Sequence, residues 1–266
     1  MNDGNISLTV LTLTLNSERY LSQCLASVED AIRQAEPFGI PITHLCVDGG
    51  SIDNTLSIIG RGRASLVASP QIGIYESIDF ALTQINSSHV CYVHSDDLIE
   101  PDFFVAHLRY LTTASALAIT ASNIRFIDSA GKLLWDRIQP RVVPFLQSQV
   151  NLVMHPNCIY PLCFEKTYPY CLDIKMGNAA DWGHINRLID SGLRIVRVGS
   201  RYRFRIHAKS TTVATGKTVT RRYAYLFSLF SNVRFFRILA FSYLLIHENK
   251  ILARIFQYVR GKRHFT

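Results

Sequence analysis

Several common signatures are missing from this sequence. Its six cysteines include no Cys-x-x-Cys pair, so a zinc site is not expected, and a reduced, intracellular compartment is the simpler interpretation. No Gly-x-Gly-x-x-Gly follows the first apolar run, which argues against a dinucleotide-dependent dehydrogenase. The first five residues carry neither a basic stretch nor a small-residue cleavage site, and we expect no secretory signal.

Charged residues are also scarce, at 18% of the chain against 48% hydrophobic residues, which indicates a folded domain and not a disordered chain. The net charge of +8 comes from the C-terminal segment, because residues 221–266 contain nine arginines and lysines and one acidic residue. No nucleic-acid recognition motif accompanies these basic residues. We therefore expect no nucleic-acid partner.

Apolar runs alternate with helical patterns over the first hundred residues. This alternation predicts an α/β fold with a mostly parallel sheet and crossover helices. Polar residues follow the apolar runs, at the position where open α/β sheets bind ligands, so residues 1–100 are predicted to be a nucleotide-binding half. An antiparallel hairpin is predicted around the turn at 129–131. The predicted strands of the first half are 7–15, 42–47, 63–69 and 90–93.

Carboxylates lie at two of these predicted strand ends. Asp96 and Asp97 are adjacent, which is costly unless a cation or hydrogen bonds compensate, and Mg²⁺ or Mn²⁺ prefers such oxygen ligands. An acidic helix cap would also explain the pair. Asp48 begins Asp-Gly-Gly-Ser, which is equally good turn chemistry, and residues 73–76 could be a simple helix start.

The order of four segments carries more information than any one of them. They are 12–20 (Thr-Leu-Thr-Leu-Asn-Ser-Glu-Arg-Tyr), 48–55 (Asp-Gly-Gly-Ser-Ile-Asp-Asn-Thr), 73–75 (Gly-Ile-Tyr) and 95–97 (Ser-Asp-Asp). Together with His155-Pro156, Ala179-Ala180-Asp181-Trp182 and Arg203-Phe204-Arg205, this series resembles family 2 glycosyltransferases of the GT-A fold, particularly those of bacterial surface-polysaccharide synthesis. The resemblance implies a catalytic domain at 1–215, with an acceptor half at 101–215.

The resemblance also implies a site for a nucleotide-sugar donor, a UDP- or GDP-sugar. Within it, Asp48 would accept a hydrogen bond from the base, and Asp96 would contact the ribose or the sugar. A structural role for a histidine before a proline is the alternative for His155. The residues implied to contact the donor are Thr12, Asn16, Asp48, Gly73, Tyr75, Asp96 and His155.

Two further roles come from the resemblance. Asp97 would ligate a Mg²⁺ or Mn²⁺ ion on the diphosphate, and Asp181 would be the general base of an inverting displacement. The alternative for Asp181 is an N-cap of a helix at 182–189. Glu76 and Ser95 depart from the family pattern, which leaves open a non-catalytic relative that binds a nucleotide-sugar or a partner protein.

Residues 216–266 are predicted to form a basic, amphipathic helical tail. Its uninterrupted apolar stretches are shorter than the roughly 20 residues of a membrane-spanning helix. Apolar helix faces with basic flanks are typical of contact with anionic lipid. This contact would place the protein in the cytoplasm, peripheral to the inner face of the cell membrane, near a glycan or lipid-linked acceptor. Packing on the catalytic domain or on a second subunit of a homodimer is the alternative.

Overall fold

The computed structural model describes residues 6–70, 73–113, 117–149, 151–170 and 180–208. The predicted tail at 216–266 and its proposed membrane and dimer contacts lie outside these residues. Among the described helices, none is long and apolar enough to cross a membrane.

The described strands form one mixed sheet in the order β3-β2-β1-β4-β8-β6-β9-β5, with β7 paired to β6. Their bounds are β1 Leu8–Thr14, β2 Ile42–Asp48, β3 Ser65–Ala68, β4 His89–Tyr92, β5 Leu98–Ile99, β6 Ala118–Ile127, β7 Leu133–Arg137, β8 Cys158–Pro161 and β9 Arg194–Arg205. The helices are α1 Glu18–Ala35, α2 Thr55–Gly60, α3 Ile74–Thr83, α4 Phe103–Thr113, α5 Pro144–Gln149, α6 Leu162–Thr167 and α7 Ala180–Asp190, with short 3-10 turns at Glu36–Phe38 and His155–Asn157.

The first half of the sheet is parallel, as the sequence predicts. Strands β3, β2, β1 and β4 pair in parallel, and Thr14 is in register with Asp48. The loops that follow β1 and β2 therefore leave the sheet at the same edge. The hairpin of β6 and β7 is antiparallel, and Gly131 takes a positive φ of 86° in its turn.

The second half makes the sheet mixed. Strand β8 is antiparallel to β4 and β6, whereas β6 and β9 are parallel, and β5 pairs antiparallel with the end of β9. Leu98 is in register with Arg203, so the end of β9 lies beside the segment 94–97. Residues far apart in the sequence meet at this edge.

Helices cover both faces of the sheet. Helix α1 buries a stripe with spacings of three and four residues, including Cys24, Val28 and Ala31, against a core shared with α4. On the other face, α3, α6 and α7 pack over residues such as Val90 and Ile119. The α/β fold with a mixed sheet flanked by helices is confirmed, and the sheet is parallel in its first half only.

Candidate active site

The loops after β1 and β2 are fastened to each other through Asn16. This exposed residue has a left-handed backbone, with a φ of 50°, which asparagine tolerates better than most residues. Its backbone N–H donates to Ser51 Oγ at 2.9 Å, and its side-chain oxygen accepts the Ile52 N–H at 3.0 Å. Asn16 thus lies at the sheet edge where the sequence places the donor.

Asp48 anchors the second of these loops. One carboxylate oxygen accepts the hydroxyls of Thr14 at 2.8 Å and Ser51 at 2.5 Å, and the other accepts the N–H groups of Gly50 at 2.9 Å and Ser51 at 2.8 Å. Burial alone would raise the pKa of Asp48, but these hydrogen bonds lower it. A carboxylate has about four acceptor sites, so the loop uses all of them. A hydrogen bond from a base to Asp48 requires one donor to move.

Two of the expected donor contacts point into the protein interior. Thr12 is fully buried, and its hydroxyl lies 2.9 Å from His44 Nε2. His155 is 4% exposed, and its Nε2 meets the Tyr170 hydroxyl while its ring packs 4.4 Å from that of Tyr92. This geometry fits the structural alternative for His155. Burial lowers the pKa of His155, and the charges of His184 and His94 lower it further.

The start of α3 carries the predicted Gly73 and Tyr75. Gly73 caps the helix with a φ of 121°, and a Cβ at this position would collide with the Glu76 carboxylate. Tyr75 stacks on Tyr170 with a centroid distance of 5.2 Å. Burial raises the pKa of Tyr75, and so does the negative charge of Asp181, whose backbone N–H donates to the Tyr75 oxygen. Tyr75 and Asp181 are therefore neighbours.

The acid pair forms a compact cluster with His94, a residue that the sequence left unassigned. Ligand atoms of His94, Asp96 and Asp97 all lie within 4.8 Å of one another. Asp97 is 1% exposed; its Oδ2 accepts the Tyr202 hydroxyl at 2.8 Å, and its Oδ1 accepts the Arg205 backbone N–H at 2.7 Å. Burial raises the pKa of Asp97, and the charge of Asp96 raises it further. The pair is therefore held together at an electrostatic cost.

A second unassigned histidine, His207, follows β9 and contacts the same cluster. Its Nε2 lies 2.8 Å from Asp96 Oδ2. Burial would raise the pKa of Asp96, but this hydrogen bond and the charge of His94 lower it. No spacing in the sequence links His207 to Asp96, because the contact depends on β5 pairing with the end of β9.

Arg205, at the end of β9, donates a hydrogen bond that holds the backbone of the acid pair. The residue is 1% exposed, and its Nε donates to the Asp96 carbonyl oxygen at 2.7 Å. Its NH1 donates to the Ser129 carbonyl oxygen at 3.1 Å, its NH2 donates to Gln23 Oε1 at 2.8 Å, and its guanidinium lies 4.6 Å from the Tyr20 ring centroid. One side chain therefore joins α1, the β6–β7 turn and the acid pair.

Replacing Arg205 by Lys is expected to lower the free energy of unfolding by about 2 kcal/mol, because an ammonium group cannot reach three separate acceptors and leaves some of them buried and unpaired. Urea unfolding measures this loss. The matched control is Arg203→Lys on the same strand, whose side chain is 32% exposed and lies 3.5 Å from Glu100. The control should change stability by less than about 1 kcal/mol. Equal losses for both variants would contradict the role of Arg205.

Asp181 lies in the first turn of α7, half-buried, with its Oδ1 2.7 Å from the Trp182 backbone nitrogen. Burial raises the pKa of Asp181 to about 6, although the Trp182 N–H and the charge of His94 partly oppose this rise. Because His94 influences Asp181, the start of α7 and the acid pair lie close enough to interact. Ala179, which precedes α7, lies outside the described residues.

The arrangement combines two chemistries. One part is an oxygen- and nitrogen-lined cluster suited to a divalent cation, and the other is a separate carboxylate whose pKa of about 6 suits proton acceptance near neutral pH. The loops at Asn16 and Asp48 border the cluster through the hydrogen bond between the hydroxyls of Ser17 and Ser95, at 2.9 Å. Such a site can bind a phosphate-bearing ligand and deprotonate a second molecule.

Comparisons with known proteins agree with this geometry. The family model described as glycosyl transferase family 2 matches residues 9–165. No curated protein sequence matches the chain.

Solved structures show the same fold at low sequence identity. S. aureus TarS 1-349 in complex with UDP has a TM-score of 0.62 and 16% identity, covering 92% of this chain and 72% of that chain. The mannosyltransferase PcManGT from Pyrobaculum calidifontis, in complex with GDP-Man and Mn²⁺, has a TM-score of 0.64 and 12% identity, covering 99% and 77%. Glucosyl-3-phosphoglycerate synthase from Mycobacterium tuberculosis, in complex with Mn²⁺, UDP and phosphoglyceric acid, has a TM-score of 0.57 and 18% identity, covering 84% and 78%.

Proposed function

Because the chain belongs to glycosyl transferase family 2 and is a glycosyltransferase with the GT-A fold, we propose that it transfers a sugar from a UDP- or GDP-sugar to an acceptor hydroxyl with inversion at the anomeric carbon. The observation that carries this proposal is the pairing of the His94, Asp96 and Asp97 cluster with the nearby carboxylate of Asp181. The structural relatives bound to UDP, UDP-GlcNAc and GDP-Man support a nucleotide-sugar donor.

The donor would lie across the loops that follow β1 and β2. Asn16 holds these loops together, and Asp48 fixes the second loop through its four hydrogen bonds. Asp48 therefore shapes the surface that meets the base. Gly73 and Tyr75 at the start of α3 would also contact the donor, and Asp96, whose side chain is 31% exposed, can contact the ribose or the sugar.

The acid pair fits a divalent cation such as Mn²⁺ or Mg²⁺. Two carboxylates and two imidazoles meet there, and among the described residues no lysine or arginine side chain forms an ion pair with either acid. Asp97 and Asp96, with His94 or His207, would hold the ion. When bound, it supplies positive charge to the leaving diphosphate. The relatives crystallised with Mn²⁺ support this assignment.

Asp181 would act as the general base. The acceptor oxygen forms its bond to the anomeric carbon as the bond from that carbon to the diphosphate oxygen breaks. The acceptor proton passes to the Asp181 carboxylate, which is mostly ionised at neutral pH because its pKa is about 6. A single displacement of this kind inverts the configuration.

The stereochemistry of the first product tests the proposal. With UDP-GlcNAc, UDP-glucose and GDP-mannose as α-linked donors, MnCl₂, and water as acceptor, the enzyme is expected to release the β sugar first, since attack comes from the face opposite the diphosphate. Proton NMR at early times, before the anomers equilibrate, identifies the product.

An α product would contradict a single displacement. Donor binding without nucleoside diphosphate release, across these donors and a panel of sugar acceptors, would favour the alternative of a non-catalytic relative. A heat-treated sample controls for spontaneous donor hydrolysis.

We also propose a biological setting, a role in cell-surface polysaccharide or glycolipid synthesis with a glycan or lipid-linked acceptor. Its support is the residue pattern of 221–266, where basic residues alternate with aromatic and aliphatic ones. Such a tail would keep the enzyme in the cytoplasm, peripheral to the inner face of the membrane where a lipid-linked acceptor lies. The alternative proposal is that this segment packs on the second subunit of a homodimer.

A further inference from the structure

A buried glutamate on α6 forms a hydrogen bond with a buried histidine on α7. Glu165 on α6 and His184 on α7 have no exposed surface. One Glu165 oxygen accepts the His184 Nε2–H at 2.7 Å, and the other accepts the Tyr92 hydroxyl at 2.6 Å. The carboxylate therefore ties α7 and α6 to the end of β4. His184 lies three residues after Asp181, so the two side chains are near one face of the same helix.

Stacked aromatic rings connect His184 to the start of α3. The His184 ring stacks on Tyr170 at 4.1 Å, and Tyr170 stacks on Tyr75 at 5.2 Å. Tyr75 accepts the Asp181 backbone N–H. The start of α7 is thus fixed both from beneath, through His184, and from α3, through Tyr75.

Stability alone does not explain an ionisable pair at this depth. A buried ion pair often contributes less to stability than apolar residues of the same volume, although removing one partner is costly. Glu165 also accepts the Tyr92 hydroxyl, and His184 also stacks on Tyr170, so the pair belongs to a buried polar network. A pair of directional hydrogen bonds fixes the rotation and depth of a helix in a way that apolar contacts do not.

We propose that Glu165 and His184 are positioning residues that set α7 so that the Asp181 carboxylate faces the reacting acceptor oxygen. This inference rests on the proposed role of Asp181 as base. A displacement of about 1 Å at a reacting group can cost about 10²-fold in rate. Neither residue touches the reactants in this account, and both act through the helix.

Two substitutions of His184 separate position from packing. The substitution His184→Leu removes the hydrogen-bond donor to the Glu165 carboxylate. In His184→Gln, the amide nitrogen of the new glutamine can still donate to that carboxylate. Turnover is followed as nucleoside diphosphate release from UDP-GlcNAc, UDP-glucose or GDP-mannose with MnCl₂ and water as acceptor. The Leu variant is expected to lose about 10- to 100-fold in kcat with the donor KM unchanged. The Gln variant should recover most of this loss, and amide hydrogen exchange in α7 should be faster in the Leu variant alone.

His107→Leu is the matched control, because His107 is a fully buried histidine on α4 that makes one side-chain hydrogen bond, to Thr120 at 2.6 Å. It should lower the melting temperature without changing kcat in the folded protein. If His184→Leu does not fold, Glu165→Met carries the same test, because it keeps a similar side-chain volume and removes the carboxylate that accepts the His184 and Tyr92 hydrogen bonds.

The double variant Asp181→Asn with His184→Leu distinguishes the two proposals. No further loss beyond Asp181→Asn is expected, since the positioned group is already gone. Wild-type kcat in His184→Leu, together with an inactive Asp181→Asn, would overturn the positioning role and leave the base intact. Wild-type kcat in Asp181→Asn would instead overturn the base itself.

Discussion

Replacing Asp181 by Asn is expected to lower kcat by about 10²- to 10⁴-fold, the range that a general base contributes. Asparagine keeps the shape of the side chain and an oxygen that can accept the Trp182 N–H, which lies 2.7 Å from Asp181 Oδ1. It cannot take the acceptor proton. Since the donor is bound elsewhere, the donor KM should stay close to that of the wild type. Steady-state release of nucleoside diphosphate measures both constants.

The pH profile provides the internal check on this variant. Because burial raises the pKa of Asp181 to about 6, wild-type kcat should be level above that pH and fall as the pH drops through about 6 and the base becomes protonated. The Asn variant should lack this acid limb. Asp190→Asn, at the exposed end of the same helix, is the matched control and should keep both the rate and the limb. If kcat of Asp181→Asn still falls as the pH drops through about 6, a group other than Asp181 causes the decrease.

The alternation of the first half could be predicted from the sequence for a physical reason. Strands β1 and β4 and the end of β2, residues 45–48, are buried on both faces of the sheet, so they read as mainly apolar and β-branched runs that end in polar residues. The positions of Asp48, Asp96 and Asp97 follow directly, because each comes just after or at the end of such a run. The sequence predicts these parts of the site because each residue lies next to the strand that positions it.

The direction of a side chain is harder to predict from a motif than the end of a strand is. Thr12 belongs to the alternating series with Leu8 and Val10, which faces the α1 side of the sheet, and it is buried there against His44. The period of two along a strand contains this information, but a motif taken as a string of letters does not. His155 begins a 3-10 turn whose ring faces inward, and no periodic pattern marks such a turn.

The contacts of the supporting residues were not predicted, because their partners are distant in the sequence. Arg205 and His207 reach Asp96 across more than a hundred residues through the end of β9. Glu165 and His184 meet because α6 and α7 pack side by side over the same face. A single sequence gives no signal for pairs that only the sheet order brings together.

Replacing Asp97 by Asn is expected to remove the cation-dependent part of nucleotide binding. Asparagine keeps the volume, its oxygen can accept the Arg205 N–H, and its amide can donate to the Tyr202 hydroxyl, so the fold should persist. In the proposed site the negative carboxylate of Asp97 would hold the cation, and the loss of a metal contact worth several kcal/mol corresponds to about 10²- to 10³-fold in affinity. Asp128→Asn is the matched control, because Asp128 is 7% exposed and its carboxylate caps the β6–β7 turn by accepting the Ala130 and Lys132 N–H groups.

Calorimetric titration of the wild type and Asp97→Asn with UDP and GDP, each with and without MnCl₂, tests whether this sheet edge binds a nucleotide through a cation. We expect one nucleotide to bind the wild type tightly with Mn²⁺ and weakly without it, and Asp97→Asn to bind equally weakly in both conditions while Asp128→Asn behaves as the wild type. Absence of nucleotide binding to folded wild-type protein under every metal condition would contradict the assignment of this sheet edge as a donor site.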